Sequence, residues 1–106
     1  HYAHHVGKPF YAGLQAFIKS SPVAVISAQK VEAVAAVRLI AGVTHGGKAD
    51  GGTIRGDMSM GMCNVVHCSD SVATAKDEVK RFFSDDEIHE YDKTEYMHVY
   101  MDEERA

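Results

Sequence analysis

Six glycines punctuate residues 43–61, and this segment limits the folds open to the chain more than any other feature. Its apolar residues follow no regular period, and so long a segment in a compact domain is usually functional or disordered. Thr53 and Arg55 lie within it, and Arg38 comes shortly before it. Glycine amides, a threonine hydroxyl and guanidinium groups are the parts that bind phosphate oxygens. The segment therefore indicates a phosphate-binding loop.

Helical periodicity on both sides of this loop predicts three helices. The first covers residues 9–20, and the second covers residues 31–41 and ends at Gly42. The third follows a cap at Asp70 or Ser71 and continues to about residue 83. After residue 84 the chain becomes acidic and aromatic, which predicts an irregular tail.

Two short apolar runs, residues 23–26 and 64–67, are predicted to be strands. Strands mixed with helices in this proportion favour an α+β or α/β sandwich. A lone pair of strands is marginal in water, so we expect the sheet to be incomplete.

A chain of 106 residues has room for one small domain. The net charge of −4 disfavours a nucleic-acid partner, and no run of 18 apolar residues predicts a membrane span. With only Cys63 and Cys68, the chain resembles a reduced cytoplasmic protein rather than a disulfide scaffold. Because the sequence opens on His1 rather than Met, we expect a fragment.

His67 ends the second predicted strand, just before a helix whose N-terminus attracts anions. A histidine beside a phosphate cradle can act as a nucleophile or as an acid–base group. Glu78 follows on the helix that must pack against that strand, where it can bond the imidazole and fix its orientation. Which ring nitrogen reacts stays open at this point.

Several motifs resemble the nucleoside diphosphate kinase family. Residues 64–71, Asn-Val-Val-His-Cys-Ser-Asp-Ser, resemble its active-site signature Asn-x-x-His-Gly-Ser-Asp-Ser, and residues 52–57 match its Gly-Thr-Ile-Arg-Gly-Asp. Residues 1–5 and 8–11 resemble its His-Tyr-x-Glu-His and Lys/Arg-Pro-Phe-Phe stretches. The resemblance runs, with the motifs in order, from His1 to about Tyr100.

The resemblance implies a ferredoxin-like α/β sandwich with an antiparallel sheet, here lacking the first two strands and the first helix. Residues 1–106 would then be a single, N-terminally truncated nucleoside diphosphate kinase domain. The implied activity is a phosphotransferase that moves the γ-phosphoryl of a nucleoside triphosphate to a nucleoside diphosphate by a ping-pong mechanism through a phosphohistidine. Mg²⁺ is the implied cofactor, and a homo-oligomer, either hexamer or tetramer, is the implied assembly.

Matching positions give each site residue an implied role. The catalytic positions are His67, as the phosphate acceptor, with Glu78 and Tyr2. The nucleotide-binding positions, in chain order, are Phe10, Arg38, Thr44, Arg55 and Asn64. The first would stack on the base, the next three would bind phosphate, and the last would reach a sugar hydroxyl. The apolar wall opposite the base is either Met60 or Met62.

Simpler explanations stand beside these roles. Phe10 lies on an apolar stripe and can be a core residue, while Arg38 and Glu78 can be solvated surface charges. The histidines of residues 1–5, with either cysteine, offer no closed set of four zinc ligands at regular spacing. We therefore predict no metal site within the protein itself.

Two departures from the family pattern keep a second function open. Cys68 replaces the glycine that follows the active histidine, and His4 replaces an acidic residue. The alternative is a non-catalytic relative that keeps the fold for binding or assembly.

Overall fold

The computed structural model describes residues 1–105 and contains only helices as regular structure in that range. The α-helices, in chain order, are α1 (Tyr11–Ile18), α2 (Ala33–Ala41), α3 (Ile54–Met58), α4 (Val72–Phe82) and α5 (Tyr96–Val99). Short 3₁₀ turns occupy Ala3–His5, Gly46–Lys48, Asp85–Glu87 and Asp102–Glu104. No helix in residues 1–105 is both long and apolar enough to cross a membrane.

The three predicted helices are present as α1, α2 and α4, with shorter ends. Helix α2 ends where predicted, because Gly42 takes a φ of 84° that favours glycine. Of the two predicted caps for α4, Ser71 is the one used: its Oγ accepts a 3.1 Å hydrogen bond from the Thr74 backbone N–H.

The two predicted strands do not form within residues 1–105, so the antiparallel sheet is not visible. Residues 22–30 make no backbone hydrogen bond to another described segment. A strand exists only through the ladder that it shares with a neighbour, and an apolar run without a neighbour stays irregular.

The glycine-rich segment is more ordered than its sequence predicts. Helix α3 forms inside it, because the Thr53 Oγ1 accepts a 3.0 Å hydrogen bond from the Gly56 N–H and caps the helix. The Gly46 N–H also donates to the Gly61 carbonyl at 3.0 Å, which closes the segment on itself. The tail after residue 84 is likewise not wholly irregular, since it contains α5 and two of the 3₁₀ turns.

The described chain buries little apolar surface. Ala41 is its only buried apolar residue, while Val23, Ile26 and Leu39 are 73%, 82% and 78% exposed. The accessible surface is 8634 Å², whereas a self-contained protein of this mass exposes about 5,800 Å². The radius of gyration is 16.3 Å, against about 13 Å for a compact domain of this length. Residues 1–105 therefore lack a core of normal size.

Candidate active site

Arg55 joins three segments of the chain. It lies on α3 and is only 6% exposed. Its Nη1 donates to the Gly42 carbonyl at 2.8 Å, and its Nη2 donates to the Val66 carbonyl at 2.9 Å. Its Nε donates to the Asn64 Oδ1 at 3.2 Å. Because each terminal guanidinium nitrogen carries a second N–H, donors remain for a phosphate.

Asn64 continues this network toward the start of the glycine-rich segment. Its Nδ2 donates to the Thr44 carbonyl at 2.9 Å and to the Met62 carbonyl at 3.2 Å. Its Oδ1 accepts from Arg55 and also from the Val66 N–H, at 3.3 Å. The Asn64 amide thus holds the backbone of the residues before and after it in the sequence. The network also brings together three of the predicted nucleotide-binding residues, Thr44, Arg55 and Asn64.

Glu78 holds the imidazole of His67. Glu78 is a buried carboxylate on α4, and its Oε1 is 2.9 Å from the His67 Nε2. Its other oxygen, Oε2, accepts a 2.5 Å hydrogen bond from the Ser69 Oγ. A carboxylate only accepts hydrogen bonds, so Nε2 carries the ring proton and Nδ1 carries the lone pair. The expected contact between Glu78 and His67 is therefore present, and it distinguishes the two ring nitrogens.

His1 packs on His67, and Tyr2 packs on His1. The His1 ring meets the His67 ring edge to face, with centroids 4.5 Å apart. Tyr2 is in turn in edge contact with His1 at 4.5 Å. Burial raises the pKa of the Tyr2 hydroxyl, with the Glu78 charge acting in the same direction and Arg55 opposing both. Tyr2 therefore stays a neutral phenol that can donate a hydrogen bond.

These side chains line a cavity of about 350 Å³. His67, Glu78 and Tyr2 all contribute to its wall, as do Asp70 and Asp77. The five predicted nucleotide-binding residues do not line it. The structure thus brings the predicted catalytic residues together in one cavity, whereas Thr44, Asn64 and Arg55 form a hydrogen-bond network that does not line it.

Phe10 and Arg38 stand apart from that network. Phe10 is 52% exposed, so it is not a core residue of the described chain, and its ring lies 5.1 Å from the His5 ring. Arg38 is exposed on α2. The pKa of Asp70 is lowered, chiefly by a hydrogen bond from the Thr74 side chain, and the Arg38 charge adds to this effect.

Sequence reasoning missed two residues of this site. Ser69 bonds the second oxygen of Glu78, and His1 packs on His67. Both lie inside the motifs that carry the family resemblance, so the motifs themselves were the available signal. Ser69 contacts a residue nine positions on, outside its motif, and His1 contacts a residue in a different motif, so a motif read alone does not show these pairs.

Comparison with known proteins identifies the family. The sequence profile described as "Nucleoside diphosphate kinase" matches residues 1–88. A nucleoside diphosphate kinase of Parabacteroides distasonis is 45% identical over 105 residues, which are 98% of this chain and 69% of that protein. One of Pyrococcus abyssi is 43% identical over 99 residues, covering 90% of this chain and 62% of that protein.

A solved structure has the same fold over most of the chain. It is a halophilic nucleoside diphosphate kinase from Halobacterium salinarum in complex with CDP, with a TM-score of 0.88 and 36% identity. The match covers 94% of this chain and 68% of that one. The chain belongs to the nucleoside diphosphate kinase family, and it spans about two thirds of the length of these relatives. The predicted family is confirmed, and with it the predicted class of transferase.

Proposed function

We propose that this chain carries the phosphoryl-transfer site of a nucleoside diphosphate kinase, with His67 as the phosphate carrier. The observation that supports it best is the 2.9 Å contact between the His67 Nε2 and the buried Glu78 Oε1, on the wall of a cavity. That contact leaves Nδ1 as the ring atom with a free lone pair. The His67 side chain is 48% exposed, so a substrate can reach it.

The transfer follows from this arrangement. The Nδ1 lone pair attacks the γ-phosphorus of a nucleoside triphosphate, and the bond from that phosphorus to the β–γ bridging oxygen breaks. The diphosphate leaves with the electron pair of that bond, and a second diphosphate takes the phosphoryl group by the reverse steps. The phosphorylated ring keeps its proton on Nε2 and is positively charged. The Glu78 carboxylate offsets that charge and prevents the ring from turning.

Supporting groups keep this geometry fixed through the cycle. Ser69 occupies the second oxygen of Glu78, so the carboxylate cannot rotate without losing a bond. Tyr2 remains protonated and can donate its hydroxyl to an oxygen of the transferring group. Phosphoryl transfer depends on positioning and charge stabilisation more than on covalent chemistry, and these side chains supply both.

The nucleotide itself is assigned to the second set of residues. Arg38, Thr44 and Arg55 bind the phosphates, Asn64 contacts the sugar, and the exposed ring of Phe10 stacks on the base. Stacking on a phenyl face accepts any base, since every base has a π-face. The protein is therefore expected to discriminate only weakly between nucleoside diphosphates, or between triphosphates, that differ in their base.

Mg²⁺ fits the acidic part of the cavity wall. Asp70 and Asp77 both line it, and Mg²⁺ is typically held by one or two carboxylates together with water and substrate phosphates. These two side chains would hold the ion directly or through water. Bound there, Mg²⁺ would neutralise negative charge on the nucleotide phosphates.

The remaining parts of the fold and assembly are also proposals. Val23, Ile26 and Val65 are 73%, 82% and 61% exposed within the two predicted strand segments. We assign both segments to an antiparallel, ferredoxin-like sheet completed by chain outside residues 1–106. A homo-oligomer, hexamer or tetramer, would cover further apolar surface.

One observation favours the non-catalytic alternative. Three N–H groups of Arg55 and the whole amide of Asn64 already bond to the protein, and Cys68 lines the cavity beside His67. A domain of this kind would keep the fold for binding or assembly and would form no phosphohistidine.

Intact-mass analysis after incubation with Mg²⁺ and ATP separates the two functions. We expect an acid-labile, alkali-stable phosphate adduct on the parent chain and none on His67→Ala. His89→Ala is the matched control, because His89 is exposed and lies outside the cavity. An adduct that survives in His67→Ala would refute His67 as the carrier. A folded parent that binds ATP without an adduct would establish the non-catalytic alternative.

A further inference from the structure

Three potential metal ligands converge beside the phosphate carrier. They are His1, His67 and Glu78, each of which offers one ligand atom, and these atoms lie within 4.8 Å of one another. The Glu78 Oε1 is 2.9 Å from the His67 Nε2 and 3.7 Å from the His1 Nε2. The His1 and Glu78 side chains are only 15% and 12% exposed, so the site is partly shielded from water.

The chemistry of this set selects one class of cation. Two imidazole nitrogens and one carboxylate oxygen are ligands of Zn²⁺ and similar transition-metal ions, whereas Mg²⁺ prefers oxygen ligands only. With zinc–ligand distances of about 2.0–2.2 Å, two ligands of a tetrahedral site lie about 3.3–3.6 Å apart. The separations of 2.9 Å and 3.7 Å from the Glu78 oxygen lie on either side of that range, and the two imidazoles must approach each other to within it.

We propose that His1, His67 and Glu78 bind Zn²⁺ or a similar divalent transition-metal ion, with water as a fourth ligand. This site differs from the acidic wall proposed for Mg²⁺, since Asp70 and Asp77 take no part in it. Its ligands are His1, His67 at the end of the apolar run 64–67, and Glu78 on α4. Three-protein-ligand zinc sites with an open fourth position are a common arrangement.

Arg81 opposes the metal in the present conformation. Its Nη1 is 3.2 Å from the His1 Nδ1, and a guanidinium can only donate, so the His1 ring proton lies on Nε2. Metal binding requires the other tautomer, with the proton on Nδ1, and Arg81 must then swing away. Arg81 is exposed on α4, so this motion costs only the one hydrogen bond.

Metal binding changes the His67 ring in a way that prevents phosphorylation. A neutral imidazole that gives its Nε2 lone pair to a metal carries its single proton on Nδ1. Nδ1 then has no free lone pair with which to attack phosphorus. No proton is gained or lost at His67, because the proton only moves from one nitrogen to the other. This inhibition rests on the proposed function, but the binding of the metal does not.

Calorimetric titration with ZnCl₂, without nucleotide, tests the binding. We expect His1→Gln to weaken binding by about tenfold or more, since even indirect changes to a metal site have effects of that size. We expect Arg81→Gln to tighten binding by about fivefold, because it removes the competing hydrogen bond.

His4→Gln is the matched control, because His4 lines the same cavity without belonging to the ligand set. It should leave the zinc affinity unchanged. Equal binding by His1→Gln and the parent would overturn the proposal, and so would a loss of binding in His4→Gln. Ring-nitrogen NMR of His67 gives a second readout, since zinc should move the proton signal to Nδ1. Failure of phosphorylation without zinc would count against the proposed function and leave this titration unaffected.

Discussion

The segment from Gly42 to Glu78 and the segment from residue 6 to residue 40 have opposite characters. The first contains the buried Arg55 and Glu78, and side-chain hydrogen bonds connect most of its parts. The second contains α1, most of α2 and one strand-like run, and it exposes large apolar side chains such as Ile26 and Leu39. The site region is thus held by polar contacts between residues near in sequence. The apolar flank has no partner surface within residues 1–105.

This difference shows that the site does not depend on the core of the described chain. The bonds of Arg55 span 9 to 13 residues, and the bond of Glu78 to His67 spans 11. Short loops of this size close at a small entropic cost, so a few good hydrogen bonds can hold them. An apolar core requires many side chains from distant segments, and the chain does not bring them together.

The largest effect is expected from Arg55→Ala. The change leaves the Gly42 carbonyl, the Val66 carbonyl and the Asn64 Oδ1 without their donor in a nearly buried position. We expect the local stability of the site region to fall by about 3 kcal/mol or more. Native-state hydrogen exchange of the α3 and α4 amides measures this free energy. Unchanged protection would show that the network around Arg55 does not hold the region together.

A pair of glycine substitutions compares the two regions directly. At Gly56 an added Cβ would stand 2.0 Å from the Asp50 carbonyl oxygen, whereas at Gly13 in α1 it would meet nothing within 4 Å. We expect Gly56→Ala to destabilise α3 by about 2 kcal/mol through overpacking. Gly13→Ala should instead stabilise α1 by about 0.5–1 kcal/mol. Circular dichroism and hydrogen exchange on both variants measure whether the two changes in stability have opposite signs. Equal effects of the two substitutions would show that the two regions do not differ in packing at these positions.

The smallest effect is expected from Ile26→Ser. The Ile26 side chain is 82% exposed, so its loss should change the stability of the described chain by less than about 0.5 kcal/mol. Binding of a hydrophobic dye such as ANS should decrease, because exposed apolar surface is removed. A clear loss of stability would instead reveal that this residue is covered in solution.

The sequence allowed correct prediction of the features that depend on residues close together in the chain. Helices α2 and α4 were found because a glycine ends one and a serine or aspartate begins the other, and the pairing of Glu78 with His67 followed from their spacing. The predicted strands are not visible within residues 1–105, because strand pairing depends on neighbours that no local pattern contains. Helix α3 was missed because its apolar period is too short to detect, although Thr53 provides a cap. The roles of the nucleotide-binding residues stay predictions.

The hydrogen bond between Glu78 and the Nε2 of His67 also fixes the chemical form in which the protein would store a phosphoryl group. Histidine has two phosphorylated isomers, pros and tele, which differ in the ring nitrogen that bears phosphorus. With Nε2 occupied by the carboxylate, only the pros isomer can form without breaking the contact. Reagents that recognise only one isomer would therefore show whether His67 is phosphorylated on Nδ1. A change from one isomer to the other would show that the hydrogen bond between Glu78 and the His67 ring has broken.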